Sequence, residues 1–585
     1  MSIHNADIAE AFDELGDLLS LQGENPFRIR AYRRAARVVR SLPQELAELK
    51  SVRDYDAIPG IGRDLAAKIA ELVKSGRLKA LEKLRREVPP GLRDLLNLPG
   101  MGPVRVRALM TSLQVKNRED LQRALAAGRI GLVRGFGEML QSRLREALEQ
   151  TPATGAAKRF QLRVAAEYAE PLHGYLAHVP GVERVEIAGS YRRGRDTVGD
   201  LDVLVSAPAG VDACGALGRY PDLRELLASG ATKASGILRN SLQVDVRAVP
   251  PESFGAALVY FTGSKDHNIH LRRLAQERGC KLSEYGLFRD DERIAGETEE
   301  GVYRALGLSW IAPELREDRG EIEAAMSGAL PALVERNDLR GDLHVHTDAT
   351  DGQDSLEVMV AAARARNLSY IAITDHAKHI GIVHGLDGAR LARQCDAIDE
   401  LNAKVHDIVI LKGAEVDILQ DGRLALPDSD LARLDVIIIA IHSHFDLPQA
   451  RQTRRILRAL ERPHVSILAH PTGRLIGERE PYALDFERVL AAARARGCCL
   501  EVNGQPSRLD LDDVHVQAAR DRGVMLSIGS DAHSAAQFGN LEDGVRQARR
   551  GWARRADIIN TRPIAAVRKL LGLSAASAAR GPARG

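Results

Sequence analysis

The sequence predicts a multidomain chain with a helical amino-terminal region, an α+β centre followed by a small α+β domain, and a carboxy-terminal distorted α/β barrel. Three observations carry this prediction. A Gly-rich turn recurs between helices in the first 150 residues, two aspartates alternate on an apolar strand near residue 200, and seven short apolar strands alternate with helices after residue 340. At 585 residues the chain exceeds what a single hydrophobic core holds.

Formal charge is near balance at +2, but residues 1–150 carry 26 Lys+Arg against 20 Asp+Glu, whereas 151–340 carry 24 against 28. A basic amino-terminal third suits contact with a phosphate backbone. The five cysteines show no C-x-x-C spacing and no disulfide framework. Neither a secretory segment nor a run of ~18 apolar residues is present, so the reading is a reduced, cytoplasmic protein without a membrane partner. Aromatic residues make up only 4%, which disfavours extended base-stacking platforms. Twelve of the 17 histidines fall after residue 340, which directs attention to their neighbours there.

In the amino-terminal region, Ile58-Pro59-Gly60-Ile61-Gly62 and Leu98-Pro99-Gly100-Met101-Gly102 are near-copies, each leading into an amphipathic helix (Leu65 to Val73; Val104 to Leu113). Gly135-Phe136-Gly137 is a looser third copy running into Leu140 and Leu144. Such a hairpin presents backbone amides at a helix N-terminus, where an anion is held favourably. This is the helix-hairpin-helix device, and Gly60, Gly62, Gly100 and Gly102 are its candidate DNA-contacting glycines. It grips phosphate without reading base sequence.

Thr151-Pro-Ala-Thr-Gly-Ala-Ala reads as a linker, followed by a helix at 157–178 and strands near 183–188, 200–206 and 242–248. Residues 252–310 read as helical, then mixed, and a charged, poorly patterned segment (roughly 313–339) leads to the last domain. On the central strand, Asp200 and Asp202 point to one face because alternate strand residues do. Their oxygens suit Mg²⁺. Gly189-Ser190 ahead of them offers backbone N–H groups and a hydroxyl to phosphate, with Arg193 close by. A third carboxylate, Asp245 in Leu242-Gln-Val-Asp-Val-Arg, completes a set able to hold two Mg²⁺ (or Mn²⁺) for nucleotidyl transfer.

After residue 340 the strands begin Leu343-His-Val-His, Tyr370-Ile-Ala-Ile, Val409-Ile-Leu-Lys, Val436-Ile-Ile-Ile-Ala, Val465-Ser-Ile-Leu, Cys499-Leu-Glu-Val and Met525-Leu-Ser-Ile. Seven such units predict a mostly parallel sheet closed as a barrel. His344 and His346 share one strand face. Asp351, His376, Glu415, His442, His470, Asp531 and His533 lie at or near the carboxyl ends of other strands, where barrel ligands converge. His444 is an alternative to His442. Six imidazoles and three carboxylates exceed the needs of one metal, so two or three of Mn²⁺, Zn²⁺ or Fe are implied, generating hydroxide for attack on a phosphoester.

The Gly189–Asp202 block with Asp245, and the stretch Tyr260-Phe-Thr-Gly-Ser-Lys-Asp-His-Asn-Ile-His-Leu-Arg, resemble the X family of DNA polymerases over residues 1 to about 320. The resemblance implies that Gly189, Ser190, Arg193 and Gly199 hold the nucleotide, with Ser190 and Arg193 on β- and γ-phosphate oxygens. It further implies that Tyr260, Phe261 and Gly263 close over the incoming sugar, with Asn268 at the base edge and Arg272 on the templating side. Lys68 falls where lyase members of the family place a Schiff-base lysine. Phe27, Arg28 and Asp64 replace the histidine and two lysines of the animal enzyme, and a neighbouring Asp64 favours the non-nucleophilic ammonium.

The histidine-rich set resembles the polymerase-and-histidinol-phosphatase (PHP) domain, with all nine of that family's ligand positions filled. The order of the two parts is that of bacterial and archaeal X-family polymerases. The implied boundaries are 1–85 (helical, first hairpin), 86–152 (second hairpin), 153–255 (palm), 256–318 (thumb-like), 319–340 (linker), 341–573 (PHP) and 574–585 (disordered tail). The implied function is gap-filling DNA synthesis in base excision repair on gapped or nicked DNA bearing a 5′-phosphate, with dNTP as substrate. The PHP domain would act as a 3′→5′ exonuclease, with AP-endonuclease or 3′-phosphatase activity in addition. The expected state is a monomer, cytoplasmic and associated with the nucleoid. The alternatives are a PHP domain that hydrolyses small phosphoesters, and a non-catalytic scaffold that binds DNA gaps.

Overall fold

The computed structural model describes residues 3, 5–41, 46–49, 51–58, 60–96, 98, 101–133, 135–137, 140–141, 144–145, 148, 159–377 and 384–573. Gly100, the expected linker at 151–157 and the expected tail from 574 lie outside them. Two compact units emerge: Met1–Arg159 with Arg219–Leu226 and Gly236–Leu242, and the remainder of the chain.

The first unit is helical. Its helices include Asn5–Gln22, Pro26–Ser41, Arg63–Ser75, Lys79–Glu87, Pro103–Leu113 and Arg118–Ala126. Arg63–Ser75 buries Leu65, Ala66, Ile69 and Leu72 on one stripe and stops at Gly76, a left-handed C-cap at φ 65°. Pro103–Leu113 begins with Pro at its first position behind Gly102, where a missing N–H costs nothing. Phe12, Tyr32, Ile69, Leu109 and Leu121 form part of the shared core.

In the second unit, the strand Asp200–Ser206 lies inside a five-stranded sheet. It is antiparallel to Arg184–Ile187 and parallel to Gln243–Val249, and Lys233–Leu238 and Leu223–Ser229, each divided between the two units, complete the order. The sequence did not announce the last two strands. Arg224-Glu225-Leu226-Leu227-Ala228 is composed of strong helix formers, almost all exposed, and sheet pairing overrides that preference. The helix expected from 157 runs Leu162–Ala177, because Phe160–Gln161 pairs instead with Thr197–Val198.

Beyond the sheet come helices Phe254–Thr262 and Lys265–Glu277, a three-stranded antiparallel sheet (Lys281–Ser283, Gly286–Arg289, Glu292–Ala295) and helix Glu299–Ala305. The segment 319–340, expected as a linker, contains helix Glu321–Ser327 with Glu321 fully buried. Glu321 is paired rather than solvated. Glu321 accepts from the N–H groups of Asp318 and Arg319 and pairs with His267 at 2.6 Å. A buried, paired charge looks like a surface charge in sequence.

The carboxy-terminal part is a seven-stranded parallel sheet in chain order: Gly341–Val345, Tyr370–Ile373, Val409–Asp417, Val436–Ala440, Val465–Leu468, Cys499–Asn503 and Leu526–Gly529. Apart from the half-buried Val409 and Lys412, these strands are unbroken buried runs, as strands covered on both faces must be. A parallel bridge between Val345 and Ala532, with His346 N–H donating to Ala532 O at 2.8 Å, brings the last strand's end back to the first. The sheet is thus a nearly closed barrel. No helix among the described residues is long and apolar enough to cross a membrane.

Candidate active sites

A cavity of about 340 Å³ opens beside the central sheet. It is lined by Gly189, Ser190, Arg193, Asp200, Asp202, Tyr260, Phe261, Thr262, Gly263, Lys265, Asn268 and Arg272. Sequence segments 60 residues apart thus meet at one wall. Thr262 and Lys265 were not anticipated, although they stand within the same Tyr260-to-Arg272 block. Gly199 links the strand Thr197–Val198 to Asp200–Ser206 and is not part of the lining.

Gly189 begins a one-turn helix at φ 61°, and a Cβ there would lie 2.5 Å from Asp202 Oδ2, so only glycine lets the turn lean on the carboxylate. Asp202 and Asp245 are direct partners on neighbouring strands. Burial, then the charges of Asp200 and Asp245, push the Asp202 carboxyl up to about 7. Asp245 accepts from Ser235 Oγ and, at 3.3 Å, from Gln243 Nε2. Three converging carboxylates that repel one another in a partly buried site fit hard divalent cations, which supply the missing positive charge.

Arg193 donates to Thr262 O at 2.5 Å and pairs through Nε with Glu317 at 3.1 Å. Tyr260 and Phe261 meet edge to face at 5.1 Å, and Arg247 lies over the Phe261 ring at 4.5 Å. Asn268 Nδ2 holds Tyr260 O at 2.6 Å, so the two helices on either side of Gly263 are tied together. His267, which the sequence did not single out, is buried between Glu321 and Tyr303 Oη and fixes the second of these helices.

At the barrel mouth, three overlapping groups bring ligand atoms within 4.8 Å of one another: His346, Asp351, His376 and His533; His344, His346 and Asp531; His376, Glu415 and His442. His470 Nε2 joins them, 3.0 Å from Glu415 Oε1. His442 belongs to the cluster, 3.2 Å from Glu415, whereas His444 is exposed and outside it. Strands one, two, three, four, five and seven therefore each place at least one of these residues.

Four ring nitrogens, His344 Nε2, both of His346 and His376 Nδ1, are buried with no hydrogen-bond partner among the described residues. Buried polar atoms are ordinarily satisfied, so orphaned imidazole nitrogens facing carboxylates are the signature of metal ligands. Burial alone would raise the Glu415 and Asp531 carboxyls, but the surrounding imidazoles outweigh it and hold both well below the usual range. Burial drives His470 down to about 4, whereas for His442 the Glu415 and Asp417 carboxylates overcome burial and raise it to about 9. The donor set of six imidazoles and three carboxylates fits transition-type divalent ions rather than Mg²⁺ alone.

A supporting layer escaped the sequence reading. Glu501, on the strand without a candidate ligand, takes His344 Nδ1 at 2.6 Å and the His470 N–H at 2.8 Å. Asp417 takes His442 Nδ1 at 2.9 Å, and Asp375 takes Thr347, Thr350 and Gln394. Arg508 Nε lies 3.7 Å from Asp531. Asp417 is the last residue of its barrel strand, a position that could have found it, whereas Glu501 lies mid-strand and carries no such signal.

In the helical unit, Gly60 has φ 91° and Gly62 caps the helix Arg63–Ser75 with no atom of the described residues within 4 Å of where a Cβ would stand, so the turn presents bare backbone. Gly102 repeats this ahead of Pro103–Leu113. Lys68 Nζ is 2.5 Å from Asp64 Oδ1 and 5.8 Å from the Tyr32 ring centroid, and Phe27 is exposed beneath Arg30.

Comparison with known proteins places families along the chain: a helix-hairpin-helix domain over residues 3–78, the DNA polymerase beta palm over 167–273, the DNA polymerase beta thumb over 257–317 and the PHP domain over 342–503. The chain is 36% identical to the DNA polymerase/3′-5′ exonuclease PolX of Bacillus subtilis, across 97% of this chain and 99% of that protein. It is 28% identical to DNA polymerase lambda of Rattus norvegicus over 54% of this chain and 56% of that one. It is likewise 28% identical to a probable phosphatase of Thermoanaerobacter sp., over 38% of this chain and 89% of the relative.

Proposed function

Because the chain belongs to the bacterial and archaeal type of X-family DNA polymerases with a carboxy-terminal PHP domain, we propose that it fills short gaps in DNA during base excision repair and trims 3′ ends with that domain. The observation that carries the polymerase reading is the single cavity lined by Ser190, Arg193, Asp200, Asp202, Tyr260, Phe261 and Asn268. It brings two carboxylates, a guanidinium and two aromatic rings to one cavity, the groups that a metal-bound nucleoside triphosphate requires.

Asp200, Asp202 and Asp245 would hold two Mg²⁺ or Mn²⁺, which when bound neutralise the triphosphate and acidify the attacking hydroxyl. Ser190 Oγ and the Arg193 guanidinium take phosphate oxygens. Tyr260, Phe261 and Gly263 enclose the sugar and leave no room for a 2′-hydroxyl, with Asn268 on the base edge and Arg272 on the templating side. Gly199 gives the chain its bend into the catalytic strand. In the PHP domain, His344, His346, Asp351, His376, Glu415, His442, His470, Asp531 and His533 would hold two or three Mn²⁺, Zn²⁺ or Fe ions. Arg508 stands where it could anchor the scissile phosphate.

Gly60, Gly62, Gly100 and Gly102 are assigned to the DNA backbone through the helix N-termini they precede. Lys68, engaged by Asp64, is assigned to a 5′-phosphate rather than to Schiff-base chemistry. The preferred partner is therefore gapped or nicked duplex DNA with a 5′-phosphate, bound by a monomer in the cytoplasm at the nucleoid. Incorporation into a one-nucleotide gap tests this reading: a 5′-phosphate at the gap should lower the DNA concentration needed by about tenfold. Equal use of both gaps would remove the 5′-phosphate from the account.

A second reading of the PHP domain rests on its likeness to probable phosphatases. It would act on small phosphoesters. Mn²⁺-dependent release of nucleotides from DNA 3′ ends supports the exonuclease, whereas inorganic phosphate released only from small esters supports the second reading. Gap binding without any dNTP incorporation would leave a scaffold.

A further inference from the structure

The turn that carries Arg193 is covered by a helix of the barrel domain. This helix, Asn540–Arg550, follows the loop bearing Asp531 and His533, and Asn540 Nδ2 holds Ser530 O at 3.0 Å. Its far end reaches the palm. The Arg546 side chain lies against Gly194, where a Cβ would come within 2.6 Å of Arg546 Cδ. Arg550, 1% exposed at its side chain, donates through Nη1 to Arg193 O at 2.7 Å and to Glu317 Oε1 at 3.1 Å. Its Nη2 is held by Asp513, which also takes Arg319 at 2.8 Å.

Glu317 Oε1 is thus shared. Arg193 Nε and Arg550 Nη1 both reach it at 3.1 Å, and Arg195, more exposed, stands at 3.8 Å. A carboxylate and a phosphate compete for the same guanidinium, since both are bidentate acceptors of its fork. With Arg550 present, Glu317 keeps a buried cation when Arg193 turns to a nucleotide. Without it, breaking the Arg193 pair would leave Glu317 largely uncompensated in a site only 13% exposed, which is costly.

We infer that Arg550, supplied by the PHP domain, is a positioning residue for nucleotide binding in the palm, acting by sharing Glu317 so that Arg193 is available to the triphosphate. This rests on the reading of Arg193 as a phosphate ligand. It makes the PHP domain a structural part of the polymerase site.

The test is steady-state incorporation by the full-length protein on a one-nucleotide gap, for the wild type, R550M, E317Q, the R550M/E317Q double variant and R193M. R550M should raise KM for dNTP by about tenfold with kcat within about twofold, while PHP activity on 3′ ends is retained as evidence of folding. The double variant should return KM to within about threefold of the wild type, because the competing carboxylate is gone. A packing role would give no such rescue. An unchanged KM in R550M, or no rescue in the double variant, overturns the inference if R193M still raises KM. An unchanged KM in R193M overturns the reading of Arg193 itself, and the inference with it. If R550M does not fold, E317Q alone decides: KM should fall by about threefold, and an unchanged or higher KM overturns the inference.

Discussion

Glu501 accepts a hydrogen bond from His344 Nδ1 at 2.6 Å, which leaves His344 Nε2 facing Glu415 and Asp531 across the barrel mouth. A carboxylate behind an imidazole fixes its tautomer and its aim. Glu501→Gln should therefore weaken metal binding at the PHP site by about 10–100-fold without touching polymerase activity. Mn²⁺ titration of 3′-end trimming, beside primer extension, reads both. Unaltered Mn²⁺ dependence would show that Glu501 only fills space.

Asp245 is oriented by Ser235 and Gln243 rather than by a metal-facing neighbour alone. Asp245→Asn should reduce dNTP incorporation by more than about 100-fold, because it removes one of three oxygen ligands. Ser235→Ala should cost about tenfold, since it loosens the carboxylate without removing it. Equal losses in both variants would count against this division of labour.

Glu299 is bound by two guanidinium groups, Arg192 at 2.7 Å and Arg316 at 2.7 Å, and by Trp310 Nε1 at 3.2 Å. Burial alone would raise its carboxyl, but the Arg316 charge and the hydrogen bonds from both arginines hold it at about 2. Its folded value lies below the ordinary 4.5, so its contribution is complete above pH 4.5 and disappears as pH falls toward 2. Glu299→Gln should destabilise by about 3 kcal/mol at pH 7, and the gap to the wild type should close through that acid window. Denaturant unfolding followed by Trp310 fluorescence measures it; a gap independent of pH would contradict the assignment.

Lys68 is held by Asp64 on the same helix face. Borohydride trapping on a 5′-deoxyribose-phosphate gap should give little adduct with the wild type and more with Asp64→Asn, which frees the amine. A strong adduct from the wild type that Lys68→Ala abolishes would establish a lyase instead.

Much of the fold was legible because its signals are local. Barrel strands are short apolar runs of one period, and the candidate ligands stand at their ends. The two Gly-x-Gly hairpins and the Asp200–Asp202 alternation are equally local. What escaped depends on partners far away in the chain. Arg316, Glu321 and Arg550 look like surface charges until Glu299, His267 and Glu317 are brought to them. Leu223–Ser229 carries helix-forming residues and becomes a strand only by pairing. Glu501 reads as an ordinary charge within an apolar strand, and only the assembled mouth distinguishes it from the candidate ligands beside it.

One chain holds two separate phosphoryl-chemistry sites, at Asp202 in the palm and around Glu415 in the barrel. A 5′-labelled primer in a one-nucleotide gap with Mn²⁺, with and without dNTPs, tests it in one gel using Asp202→Asn and Glu415→Gln. Asp202→Asn should lose extension and keep shortening, whereas Glu415→Gln should keep extension and lose shortening. Loss of both activities in either folded variant, or shortening that survives Glu415→Gln, would contradict it.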